Sequence, residues 1–134
     1  MLTAVSRPLD VSRPPSPAEL RLLTTLAAGD SVLLAQVRAC SVVGECRCGC
    51  GSLELHSVTA PLAPDVVAGL SADGRDDHLS ITADGVDAAG RTVQVTLHVL
   101  LGSVRELEVF DPSAGEGHRV DPASIRSLGR PEAS

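Results

Sequence analysis

The sequence predicts an α+β fold, with two N-terminal helices packed on one face of a four- or five-stranded antiparallel meander sheet and a short C-terminal helix. Three observations favour this class. Apolar residues recur at helical spacing from Ser16 to Ala39, and apolar and polar residues alternate in several segments between Ser41 and Phe110. A proline then follows a capping aspartate at Asp121, which is typical of a helix start.

Chain length and proline content set the predicted domain limits. At 134 residues the chain has the size of one domain. Pro8, Pro14 and Pro15 disfavour both helix and sheet near the start, so residues 1–15 are predicted to form a disordered arm. We expect a single domain over residues 16–128 and a disordered tail over residues 129–134.

The first helix has the clearest start signal in the chain. Ser16 can cap it, Pro17 fits its first position, and Glu19 can return a hydrogen bond to the capping residue. Gly29 is expected to end it.

A second helix is predicted from Asp30 or Ser31 through about residue 39. Leu33, Val37 and Cys40 share one apolar stripe at helical spacing. Cys40 is therefore expected to fill the core.

Five strands are predicted after the helices, because the apolar period changes to two. Their bounds are Val43 to Cys48, Ser52 to Val58, His78 to Val86, Arg91 to Leu101 and Val104 to Phe110. Residues 60–76 form an irregular link with room for one helical turn near residues 65–70.

The last two strands are predicted to be joined by a three-residue loop. If Val99 faces Leu107, His98 lies opposite Glu108 on the outer face of the sheet, and the two form an ion pair. Asp121 and the proline after it then start a helix that is predicted to run to about residue 128.

Composition argues against nucleic acid and membrane as partners. Aromatic residues make up 1% of the chain, with no Trp or Tyr for base stacking, and the net charge of -6 would repel phosphate backbones. No run of about 18 apolar residues could span a bilayer. The first residues do not have the pattern of a secretory signal, so we expect a cytoplasmic protein with reduced thiols.

The segment from Ser41 to His56 carries the most unusual chemistry of the sequence. Cys46, Cys48 and Cys50 alternate along it, and glycines at positions 49 and 51 could curl the backbone enough to bring thiolates together. Structural zinc sites usually space paired cysteines by two to four residues and add a second pair, which this chain does not have. A site formed by Cys46, Cys48, Cys50 and His56 would bind zinc, with Cys40 or another histidine as alternative fourth ligand.

Hairpin register distinguishes a metal site from core packing. A two-residue turn at positions 50–51 would set Cys46 opposite Leu55, which buries inert thiols among apolar side chains. A three-residue turn at positions 50–52 would set Cys46 opposite His56 and build a site. A redox or catalytic thiol is the third alternative, although the segment does not have the Cys-x-x-Cys helix start of redox enzymes.

A second polar group falls on outward positions of the predicted sheet. Its members are Glu54, His56, His78, Asp84, His98, Glu106 and Glu108. Histidines among carboxylates can bind a metal or perform acid–base chemistry. The same pattern is typical of a solvated sheet face with cross-strand ion pairs, which we favour.

The chain resembles a family of small proteins from high-GC actinobacteria. The resemblance lies in the Leu-rich helix pair, in Val-Val-Gly-Glu-Cys-Arg-Cys-Gly-Cys at positions 42–50 and in Gly-Ser-Val-Arg-Glu-Leu-Glu-Val at positions 102–109. It covers about residues 17–128 and implies a shared fold and a bacterial cytoplasmic setting. Because we know of no activity for that family, the resemblance transfers no catalytic residue.

These observations predict a small non-enzymatic accessory or binding domain that acts through a protein partner. The cysteine hairpin of this domain is predicted to have a structural or metal-binding role, and zinc is the cofactor that it would bind. One alternative is a metal- or thiol-dependent enzyme that uses Cys46, Cys48, Cys50 and His56. Another is an acidic, antidote-type partner of a basic protein, which the net charge of -6 favours.

Overall fold

A computed structural model describes residues 6–46, 50–113 and 119–134. The helices are α1 (Pro17–Ala27), α2 (Ser31–Ala39) and α3 (Pro64–Leu70), and one 3-10 turn spans Pro122–Ser124. The strands are β1 (Ser6–Arg13), β2 (Ser41–Cys46), β3 (Leu53–His56), β4 (His78–Asp87), β5 (Thr92–Leu100), β6 (Ser103–Phe110), β7 (Ile125–Leu128) and β8 (Glu132–Ala133).

The strands form one antiparallel sheet, and the predicted four- or five-stranded meander is wrong. The sheet has eight strands in the order β1-β2-β3-β6-β5-β4-β7, with β8 also paired to β4. In a meander β3 would pair with β4, but here it pairs with β6. The α3 link carries the chain from β3 across the sheet to β4, so that β4, β5 and β6 return toward β3.

The first strand corrects the prediction of a disordered N-terminal arm. Residues 6–13 pair with β2, and Pro8 lies opposite Gly44. Proline is tolerated here because β1 is an edge strand with no neighbour to receive a second set of backbone hydrogen bonds. Ion pairs hold the strand, from Arg7 to Glu45 at 3.3 Å and from Arg13 to Glu19 at 2.8 Å.

The predicted C-terminal helix is also wrong. Asp121 caps only the 3-10 turn, by accepting a hydrogen bond from the Ala123 amide. The chain then extends because Ile125, 1% exposed, reaches the core, and β7 pairs with the open edge of β4. The last residues, predicted as a disordered tail, include β8, where Glu132 pairs with Thr82.

The two N-terminal helices form as predicted. Ser16 and Glu19 make the reciprocal capping box, and Asp30 caps α2 by accepting from the amides of Val32 and Leu33. Helix α1 contacts β4 and β5, α2 contacts β6, and α3 contacts β4. Aliphatic side chains from the helices and from one face of the sheet share a single core. No helix in the described ranges is long and apolar enough to cross a membrane.

A buried glutamine joins α2 to the turn between β5 and β6. Gln36 is 0% exposed. Its amide nitrogen donates to the carbonyls of Gly102 (2.9 Å) and Ala60 (3.2 Å), and its amide oxygen accepts from the Val104 amide at 2.8 Å. The side chain therefore satisfies three backbone groups that the sheet does not pair, in a setting where an unpaired polar group is costly.

That turn holds two residues, and both have positive φ. Leu101 has φ 51° and Gly102 has φ 82°, as in the primed turns that suit the twist of a hairpin. The carbonyl of Gly102 also accepts from the Leu62 amide at 2.9 Å, and a Cβ at position 102 would overlap the Leu62 backbone. The start of β6 is thus fixed by α2 and by the segment before α3.

Replacement of Gln36 by Leu tests this anchor. Leucine keeps about the same volume but leaves the Ala60 carbonyl and the Val104 amide unpaired, and the Gly102 carbonyl keeps only its bond from the Leu62 amide. We therefore expect a loss of about 3 kcal/mol in the free energy of unfolding. Urea denaturation followed by circular dichroism measures it. Gln94→Leu, at an exposed glutamine of β5, is the matched control and should change the free energy by less than about 1 kcal/mol. Equal effects of the two variants would refute the anchor.

Candidate functional site

The cysteine hairpin has neither of the two registers considered from the sequence. Glu45 pairs with Leu53, and the Cys46 amide donates to the Ser52 carbonyl at 3.0 Å. An irregularity between Val42 and Gly44 shifts the pairing along the hairpin. The connection from β2 to β3 is therefore longer than the two- or three-residue turns, and Cys46 faces neither Leu55 nor His56.

The structure brings Cys46 and Cys50 to one end of the hairpin, near Ser52. The Cys50 thiol lies 3.1 Å from the Ser52 hydroxyl, and both cysteines are partly exposed. The Cys50 carbonyl accepts from the Val120 amide at 3.1 Å, which holds the loop against the segment before the 3-10 turn. Cys48 lies outside the described residues.

His56 lies at the opposite end of β3. It pairs with Ser41, whereas the cysteine end is marked by the pairing of Glu45 with Leu53. Three residues of strand separate the two ends, or about 10 Å. Within residues 6–46, 50–113 and 119–134, no three His, Cys, Asp or Glu side chains are grouped so that they could hold a metal.

Cys40 occupies the core position predicted for it. It is 5% exposed, and its thiol donates to the Val37 carbonyl at 3.2 Å. Burial raises the pKa of the Cys40 thiol to about 11. The thiolate needed for metal binding or nucleophilic attack is therefore disfavoured at neutral pH.

A different set of side chains converges on the outward face of the sheet. Directly paired residues form one row across six neighbouring strands, in the order Pro8, Gly44, Glu54, Glu106, His98 and Ser80. Paired residues project to the same face, and this face is opposite the one covered by the helices. A Cβ on Gly44 would meet the Glu54 carboxylate, so the glycine leaves room for that side chain. We call these six residues the polar row.

The predicted ion pair between His98 and Glu108 forms, although the predicted register is wrong. His98 pairs with Glu106, because the turn has two residues and an irregularity follows at Val99. The ring nitrogen Nε2 of His98 nevertheless lies 2.8 Å from Oε1 of Glu108, which is the diagonal neighbour. That hydrogen bond is the main cause that raises the pKa of His98.

Two further side chains surround His98. The Ser80 hydroxyl lies 3.4 Å from Nδ1 of His98 and 3.4 Å from Nε2 of His78, and the two histidine rings stack with centroids 5.8 Å apart. Burial lowers the pKa of His78, and the nearby charge of His98 lowers it further.

The chain of contacts from Ser80 through His98 to Glu108 has the composition of a hydrolase triad but not its surroundings. The Ser80 amide donates to the Ser134 carbonyl at 2.9 Å, and the central strand β5 pairs on both sides. Those amides are not available to stabilise an oxyanion. We therefore assign Ser80 no nucleophilic role.

Glu106 has the most perturbed carboxylate in the polar row. Burial raises the pKa of Glu106 to about 7, with Glu108 and Glu54 acting in the same direction and His98 opposing them. A glutamate carboxyl that is exposed to solvent has a pKa near 4.5. We therefore expect Glu106 to change protonation close to neutral pH.

Sequence reasoning named His78, His98, Glu54, Glu106 and Glu108 for the outward face. It gave no role to Gln36 or to Gly44. Gln36 could have been found in the sequence, because it is a polar residue on the otherwise apolar stripe of α2. No local sequence pattern identifies Gly44, since it leaves room for the Glu54 side chain only because β2 pairs with β3.

Comparison of the chain with protein-family models, with curated proteins and with solved structures finds no match. The resemblance to actinobacterial proteins stays a prediction.

Glu108→Gln tests the cause of the His98 shift. Glutamine keeps the shape but removes the charge, so the pKa of His98 should fall. Titration of the His98 ring by two-dimensional NMR measures the change. Asp84→Asn, at an exposed carboxylate of β4, is the control and should leave the His98 titration unchanged.

Glu106→Gln tests the buried carboxyl. The folded-state pKa of Glu106 is raised, so the group stabilises the fold below about pH 4.5, and this contribution is lost as pH rises through 7. Gln cannot ionise, and the variant should therefore be more stable than the wild type at about pH 8, by about 1 kcal/mol after solvent screening.

The difference between Glu106→Gln and wild type should vanish near pH 4.5, as measured by urea denaturation across pH. Glu132→Gln, at an exposed carboxylate of β8, should follow the wild-type pH profile. A stability difference that is independent of pH would contradict the assignment.

Proposed function

We propose that this chain is a small non-enzymatic binding domain that uses the outward face of its sheet to bind a basic protein partner. The polar row carries the proposal, because it places titratable side chains side by side across neighbouring strands. Glu54 and Glu106 lie directly opposite each other in this row, and a bound cation would favour ionisation of Glu106.

The charge of the face favours a cationic partner. Carboxylates occupy five of its paired positions, whereas β6 carries one exposed arginine, Arg105, at its irregularity next to Glu106. The carboxylates are Glu54, Asp84, Glu106, Glu108 and Glu132. A surface of one sign accelerates encounter with a partner of opposite sign and selects against others. The net charge of -6 acts in the same direction.

The packing of the face also suits binding. The side chains of His98 and Glu108 are 23% and 34% exposed, so their conformations are restricted before a partner arrives. Thr82 and Thr96 hydrogen-bond to each other beside them at 2.9 Å. A preordered surface loses less entropy when it binds.

The alternative of a metal- or thiol-dependent enzyme that uses Cys46, Cys48, Cys50 and His56 has less support. It requires His56 to reach the cysteine end of the hairpin, about 10 Å away along the strand. Metal analysis of untagged protein tests it. Stoichiometric zinc that is lost in Cys48→Ser would favour that alternative over a purely structural role of the hairpin.

Titration of the protein with a nona-arginine peptide tests the proposed face. We expect saturable NMR shifts at Ser80, Thr82 and Thr96, and at least about fivefold weaker binding by the double variant Glu106→Gln, Glu108→Gln. The matched control is Asp65→Asn with Asp76→Asn, which removes the same number of carboxylates from exposed positions outside the sheet.

The control variant should bind within about twofold of the wild type. Equal losses in the two double variants would show that the peptide senses only net charge, and shifts confined to the helices would place binding elsewhere. Either result would overturn the proposal.

A further inference from the structure

A cleft of about 220 Å³ lies between α1 and β7, on the helix-covered side of the sheet. Arg21 and Thr25 of α1 form one wall, and Arg126 and Ser127 of β7 form the other. Leu22 and Ile125 lie at its base, each 1% exposed. The cleft is separate from the polar row, which lies on the opposite face.

The two arginines of the cleft differ from the four arginines that form ion pairs in the described residues. Arg7, Arg13, Arg75 and Arg91 are paired with carboxylates. Arg21 instead donates from Nη2 to the Ile125 carbonyl at 2.9 Å, which does not neutralise its charge.

The side chain of Arg126 makes no hydrogen bond or ion pair with any residue that the structure describes. Two uncompensated guanidinium groups therefore border one small cleft in an acidic protein.

The Thr25 side chain shapes the helix wall of the cleft, but its hydroxyl hydrogen is already donated within the helix. The Thr25 hydroxyl donates to the Arg21 carbonyl at 2.8 Å, which fixes its position on the helix. Guanidinium donors beside an apolar base are suited to an amphipathic anion.

We propose that this cleft binds a small organic anion, with a carboxylate or phosphate head group held by Arg21 and Arg126 and a short apolar body placed over Leu22 and Ile125. The cleft volume of about 220 Å³ is sufficient for a body of about six carbon atoms, since a cavity of about 150 Å³ already accommodates benzene. The edge position of β7 leaves the cleft open to solvent on one side.

NMR titrations with hexanoate, hexyl phosphate and inorganic phosphate test the site. Saturable shifts are expected at the amides of Thr25 and Ser127 with hexanoate or hexyl phosphate. Inorganic phosphate should bind at least about threefold more weakly than hexyl phosphate, because it has no apolar body. The preferred head group then identifies the ligand as a carboxylate or a phosphate ester.

Arg126→Gln should weaken binding at least about tenfold, because a charge-assisted hydrogen bond is lost. The affinity of Arg126→Lys should lie between those of Arg126→Gln and the wild type, since lysine keeps the charge but does not have the planar guanidinium group. Arg130→Gln, at an exposed arginine just beyond β7, is the matched control and should bind within about twofold of the wild type.

Absence of saturation up to about 10 mM of every probe would overturn the proposal. An equal loss of affinity in Arg130→Gln and Arg126→Gln would overturn it as well. The failure of this site would not affect the basic-partner proposal, which concerns the other face and a cationic peptide.

Discussion

The side-chain amide of Gln36 is the interaction on which the arrangement of the sheet face depends. It ties α2 to Gly102 and Val104, and so fixes where β6 begins relative to β5. With a two-residue turn, His98 meets Glu106 directly and Glu108 diagonally. A slip by one residue would turn every side chain of β6 to the other face, and would place Leu107 in solvent.

The electrostatics of the polar row follow from this register. Glu54 and Glu106 lie directly opposite each other, and burial holds the pKa of Glu106 at about 7. His98 lies between Glu106 and Glu108 and retains its proton more readily because of the bond to Glu108. The face therefore combines acidic charge with groups that change protonation near neutral pH, and a cationic partner would favour ionised Glu106.

Local signals predicted the helices and the strands from residue 78 to residue 110, but not the sheet order. The capping box of Ser16 and Glu19 and the alternation along β5 depend on neighbours in sequence, and sequence reasoning found them. Strands β1, β7 and β8 form because they pair with the edges of the sheet. These pairings join residues that are distant in sequence, so no local pattern predicts them.

The candidate site was predicted only in part for the same reason. The alternation of side chains along each strand predicted that His98 and Glu108 lie on one face. The pairing of His98 with Glu106 could not be predicted, because it depends on the two-residue turn. His56 was expected near the cysteines, but its pairing with Ser41 places it at the other end of β3. Cross-strand nuclear Overhauser effects between β5 and β6 test the account most directly. They should show His98 paired with Glu106, and the pairing of His98 with Glu108 would contradict it.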